Sequence, residues 1–233
     1  MTLCLTSARL PRTSLAGSVA TMPGWTEELQ VFCADVGSLA RDNFGWARRI
    51  PAETDAVAHV PSSIESFADA AAAELQQGRP VALGFEMPLF VPVPESIAEL
   101  GRARPCDSGA PSWNSPVGSN VLTTGLPQVA WVLARLRAAA PDQPAHTRWE
   151  AFERERRGVL VWEAFVTKDA KGATHEEDAA IGVAAFCAQL PTPGDANADD
   201  TARPLSLVAA AVLWAGWTLP TESLWQACVL VRA

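Results

Sequence analysis

The sequence predicts an α/β fold: a mixed five-stranded sheet in which a three-stranded antiparallel meander is followed by two parallel strands, with helices on both faces. Three observations carry this. Three short apolar runs follow one another from Gln30 with gaps of a few residues, the pattern of strands joined by tight turns. Two later apolar runs are each preceded by a segment with helical periodicity, and strands joined through helices return in parallel. With 233 residues, 48% of them hydrophobic, the chain can bury one sizeable core.

Residues 1–29 read as a disordered extension, because Arg9, Pro11 and Arg12 interrupt the apolar core that an export signal needs. A single domain is expected over 30–233. "QVFCADV" is the first strand, closed by Gly37, and "NFGWARRI" (43–50) and "DAVAHV" (55–60) complete the meander. "SSIESFADAAAAELQQG" is a helix: a serine opens it, Glu65 lies in its first turn, Ile64, Phe67, Ala71 and Leu75 share one face, and Gly78 follows. "PVALGFEMP" is the fourth strand, apolar except for Glu86. Seven prolines between Pro88 and Pro127 point to an insertion at about 88–125 that folds over one end of the sheet. A second helix runs from about Leu126 to Ala140, the fifth strand is "VLVWEAFV" (159–166), and a third helix spans His175 to Leu190. After the loop "PTPGDANADDTARP" come an Ala-rich helix near Leu205 to Trp217 and a last short strand within "ACVLVRA".

The net charge of −8 argues against a general nucleic-acid binder, since neutralising phosphates needs clustered Lys and Arg. A local basic patch from Arg102, Arg104, Arg135, Arg137, Arg148, Arg154, Arg156 and Arg157 remains open, although half of that set is interleaved with acids in "RWEAFERERRG", as on a solvated helix face. Five widely spaced cysteines read as reduced, buried thiols of a cytoplasmic protein. No apolar run reaches the roughly 18 residues a membrane span requires, so no membrane partner is expected. Neither a Walker loop nor a dinucleotide fingerprint is present, and "DVGSLA" and "PVGSN" lack the second glycine of a nucleophile elbow.

Four acids stand in apolar settings: Asp35 at the end of strand one, Glu86 at the end of strand four, Glu163 inside strand five and Asp178 at the start of a late helix. An ionised carboxylate there is costly unless it is paired or bound to a cation, and Mg²⁺ takes oxygen ligands of this kind. Each has a structural reading beside the functional one. Asp35 can open an Asx turn, Glu86 can pair with an arginine, Glu163 can face solvent opposite Trp162, and Asp178 can favour the helix start electrostatically. In "THEEDAAIGVAAF", Thr174 and Glu177 fit a capping box, and His175 is either a proton-transfer residue beside the acids or an exposed residue of the first turn.

"ADVGSLARDNFGWA", "ALGFEMPL", "VWEAFV" and "HEEDAAIGVAAF", in that order of elements, resemble the RNase H-like fold. More closely, they resemble the predicted nucleases of domain-of-unknown-function family 429, distant relatives of the Holliday-junction resolvases. The resemblance implies that Asp35, Glu86 and Asp178 are catalytic metal ligands, with Glu163 a fourth. It implies two-metal hydrolysis of DNA or RNA phosphodiesters with Mg²⁺ or Mn²⁺. Two other readings stand beside it. One is a non-catalytic binding protein that keeps the fold as a scaffold, with the proline-rich insertion as its contact surface. The other is an ATP-binding protein of the actin and sugar-kinase fold, which needs a second, similar subdomain that 233 residues do not offer.

Overall fold

The computed structural model describes residues 24–53, 57–58, 62–108, 111–167, 169–194 and 196–233. The run at Gln30 forms β1 (Gln30–Asp35), buried along its whole length, and β2 (Gly45–Arg49) returns antiparallel with Gly45 opposite Asp35. β3 (Val57–Ala58) pairs antiparallel with β2, and the flanks of the expected third strand lie outside the described residues. The helix α1 (Ile64–Gln76) opens on a reciprocal cap. The Ser63 hydroxyl accepts from the Ser66 N–H at 3.1 Å, and the Ser66 hydroxyl accepts from the Ser63 N–H at 3.2 Å.

The strand β4 (Val81–Phe85) then lies parallel to β1, and β5 (Phe90–Pro92) leaves the sheet. The next helix, α2 (Pro116–Ala139), starts well before the expected Leu126. Ser115 caps it by accepting from the Gly118 N–H at 3.0 Å, and Pro116 takes the first helical position, where its missing N–H has no partner to lose. Pro127 lies inside the helix, so counting prolines made the insertion too long.

β6 (Ala145–His146) and α3 (Trp149–Glu155) lead into β7 (Val159–Phe165), parallel to β4, and α4 (His175–Ala188) follows. The chain continues through α5 (Ala196–Asp199), β8 (Pro204–Ser206), α6 (Leu207–Trp214) and β9 (Leu230–Arg232). The main sheet has the order β3-β2-β1-β4-β7, as the meander and helix-linked strands predict. The free edge of β7 is shared by β6 and β9, which makes seven strands instead of five. β5 pairs with β8 in a separate two-stranded sheet.

Strand alternation divides the core into two layers. Phe32, Ala34, Leu83, Phe85, Val159 and Val161 face α1, α2 and α6. Val31, Cys33, Ala82, Leu160, Trp162 and Ala164 face α3 and α4. The folded part begins earlier than expected. Residues Gly24–Glu27 form a single 3₁₀ turn, and the Trp25 ring lies 5.6 Å from that of Trp149 and 5.9 Å from that of Phe152. Cys33, Cys106, Cys187 and Cys228 are free thiols, and among the described residues no helix is long and apolar enough to cross a membrane.

Candidate metal centre

Asp35 shares the strand face of Val31 and Cys33, so its carboxylate leaves the end of β1 toward α4. Glu86 follows β4 and extends the parallel ladder by donating its N–H to the Ala34 carbonyl at 2.8 Å, which sets it beside Asp35. Asp178 occupies the first turn of α4, capped by Thr174, whose hydroxyl accepts from the Glu177 N–H at 3.2 Å. Glu177 completes the cap differently from the expected box, accepting from the Ala173 N–H.

Two glycines let α4 come close enough. A Cβ on Gly45 would stand 2.2 Å from the His175 carbonyl carbon, and one on Gly182 would stand 2.9 Å from Cys33 Sγ. Because Gly45 is opposite Asp35, the missing side chain opens the path by which α4 brings Asp178 to the sheet. One carboxylate oxygen each from Asp35, Glu86 and Asp178 then lies within 4.8 Å of the others.

A lysine balances part of this charge. Lys171 Nζ donates to Glu86 Oε1 and Asp178 Oδ2, both at 2.9 Å, and the Gly172 N–H donates to Asp178 Oδ1 at 2.7 Å. His175 Nδ1 is hydrogen-bonded to Asp35 Oδ2. Glu86 Oε2 is buried with no partner. Burial pushes the Asp35 carboxyl up, against the His175 hydrogen bond. Burial, then the Asp35 charge, pushes Glu86 from 4.5 to about 8. Burial lowers the Lys171 ammonium, but Glu86 and Asp178 more than offset it and hold it charged. Cys33 lies close below, its thiol raised by burial and then by the three acids, and it is fully enclosed.

Three acids against one ammonium, with a carboxylate oxygen left unpartnered, form a donor set suited to a hard divalent cation such as Mg²⁺ or Mn²⁺. The fourth acid does not join them. Glu163 faces the opposite side of the sheet, because its register partner is Phe85 of the α1 layer. It is fully buried and bound by Arg104, Nη1 to Oε2 at 2.9 Å and Nη2 to Oε1 at 2.8 Å, with the Leu89 N–H on Oε2 at 2.8 Å. Arg104 also holds Asp107 and the Phe90 carbonyl, so all five guanidinium N–H groups are used. Glu163 therefore anchors the insertion to the sheet instead of binding metal.

Half of the arginines expected to form a basic patch are committed to acids. Arg104 is buried, Arg102 pairs with Glu99, Arg135 with Asp69, and Arg148 with Glu150 and Asp199. Arg137, Arg156 and Arg157 donate to nearby backbone carbonyls. Sequence reasoning missed Lys171. Its signal was that both lysines of the sequence, Lys168 and Lys171, fall just before a helix whose first turn carries Glu176, Glu177 and Asp178.

Two clefts flank the carboxylates. One, of about 250 Å³, is lined by Asp35, Glu86 and Lys171 together with the apolar Met87, Trp113, Val117, Val121 and Phe165. The other, of about 470 Å³, lies beyond Val121 and is polar, with Arg41, Asn43, Asn120, Thr124 and His175 in its wall. No protein-family model matches the chain, and neither a curated protein nor a solved structure matches it.

Proposed function

We propose that the chain is an RNase H-like, metal-dependent nuclease that hydrolyses phosphodiester bonds. The observation that carries this reading is the meeting of Asp35, Glu86 and Asp178 at the carboxyl ends of β1 and β4. The three arrive from three separate elements, and Glu86 Oε2 has no protein partner. The sheet order β3-β2-β1-β4-β7 with an acid-bearing helix after β7 supports the fold assignment.

Asp35, Glu86 and Asp178 would hold Mg²⁺ or Mn²⁺, which supplies charge stabilisation at the phosphoryl oxygens and a more acidic water. Lys171, half-exposed at the cleft, offers its ammonium to a phosphate oxygen. His175, bonded to Asp35 through Nδ1, is placed to carry a proton between the site and the polar cleft. With Glu163 committed to Arg104, the group supplies ligands for one cation. A second cation would have to find its oxygens outside this set.

The test is cleavage of labelled single-stranded and duplex DNA and RNA by purified protein in Mg²⁺ or Mn²⁺. Cleavage that is abolished by chelation and by Asp35→Asn is the expected result. No cleavage of any substrate, together with no effect of either metal on thermal stability, would favour the scaffold reading.

A further inference from the structure

The two clefts differ in chemistry, and half of the arginines that could meet a phosphate backbone are committed to acids. The chain carries a net charge of −8. Affinity from phosphate neutralisation is therefore small, and a substrate must be held by burying something apolar. The cleft that shares Asp35, Glu86 and Lys171 has apolar walls, and at about 250 Å³ it falls just below the ~300–1,000 Å³ of pockets for drug-sized ligands. That admits one ring system and excludes a duplex. Trp113 lines it with its indole N–H already donated to the Arg102 carbonyl at 3.0 Å, leaving the ring as apolar surface. The Trp113 backbone N–H donates to Asp107 Oδ2 at 3.4 Å, and Arg104 and Glu163 tie Asp107 to β7, which links this wall to the sheet.

We propose that this cleft is the subsite for one unpaired nucleobase, placing the phosphate of that nucleotide at the carboxylates and its chain beyond Val121 in the polar cleft. The step rests on the phosphodiester reading and narrows it to single-stranded ends or single nucleotides. Arg41 of the polar cleft and Lys171 are the two cations that meet the backbone.

The test is calorimetric binding of a nucleoside 5′-monophosphate and of ribose 5-phosphate, in Mg²⁺, to the full chain, Val121→Trp and Trp113→Ala. The base-bearing ligand binds about tenfold tighter, the scale of stacking one base on an aromatic ring. Val121→Trp, which fills the cleft, and Trp113→Ala each remove most of that preference. For a short single-stranded oligonucleotide, log affinity falls with log salt at a slope no steeper than about −1.4, the value for two phosphates neutralised. Equal affinities, no binding of either ligand, or a preference that survives both variants overturns the subsite. A Mg²⁺ titration of the same samples separates the two ideas. Metal binding without base preference overturns only the subsite, and base preference without metal binding overturns only the metal reading.

Discussion

The reassignment of Glu163 from metal ligand to anchor has a measurable consequence. In Arg104→Met the buried Glu163 and Asp107 carboxylates lose the cation that takes two hydrogen bonds to each of them. Breaking a buried ion pair from one side costs about 3–5 kcal/mol. For a chain of this size each kcal/mol lowers the melting temperature by about 2–4 °C, so the fall is on the order of 6–20 °C. Glu163→Gln keeps the shape but sets an amide N–H₂ against a guanidinium N–H, and it should destabilise by a similar mechanism. The assay is scanning calorimetry of both variants, each with and without 10 mM Mg²⁺, at a protein concentration of ~20 μM. Both should melt early, and both should keep the upward shift in melting temperature expected of the parent chain in Mg²⁺. A Glu163→Gln variant that melts normally but no longer responds to Mg²⁺ would refute the reasoning and return Glu163 to the metal site.

Other outcomes follow from the same geometry. The metal-free protein should lose stability as pH rises. Glu86 binds its proton up to about 8 in the folded state against an ordinary 4.5, so its contribution is complete below the ordinary value and is lost as pH climbs through about 8. Melting temperatures in chelator from pH 5 to 9 check this, and Mg²⁺ should restore the loss by displacing that proton. Lys171→Met removes an ammonium that competes for Glu86 Oε1 and Asp178 Oδ2 and should tighten Mg²⁺ binding roughly tenfold, a fraction of the ~4 kcal/mol between unit charges 4 Å apart near a surface. Weaker binding in calorimetry would mean that the lysine supports the cation instead of standing in for it. Gly45→Ala puts a Cβ into the His175 backbone, so it should cost about 1–3 kcal/mol and abolish the Mg²⁺-induced shift together.

Much of this was legible in the sequence, for physical reasons. β1, β4 and β7 are buried on both faces and read as continuous apolar runs, which made an interrupting acid conspicuous. Asp35, Glu86 and Asp178 stood out because each sits where an apolar element ends or begins. Glu163 stood out instead as an acid inside an apolar strand, a pattern that does not say which face a strand residue takes. That depends on the register with β4, which sets Glu163 opposite Phe85. Its partner, Arg104, is far away in sequence within a proline-rich stretch with no periodicity. The start of α2 was hidden because Pro116 and Pro127 look like breakers, although the first helical position favours proline. The two-residue strand β6 is too short to leave a pattern. Lys171 was passed over because one lysine in a turn reads as solvated until Glu86 is known to stand beside it.

The carboxylate centre is tested most directly by anomalous diffraction from crystals soaked in Mn²⁺. The expected result is one anomalous peak in contact with oxygens of Asp35, Glu86 and Asp178, with Lys171 Nζ displaced from Glu86 Oε1 and Asp178 Oδ2. A crystal saturated with Mn²⁺ that shows no peak there, with Lys171 still bridging the two acids, would contradict it.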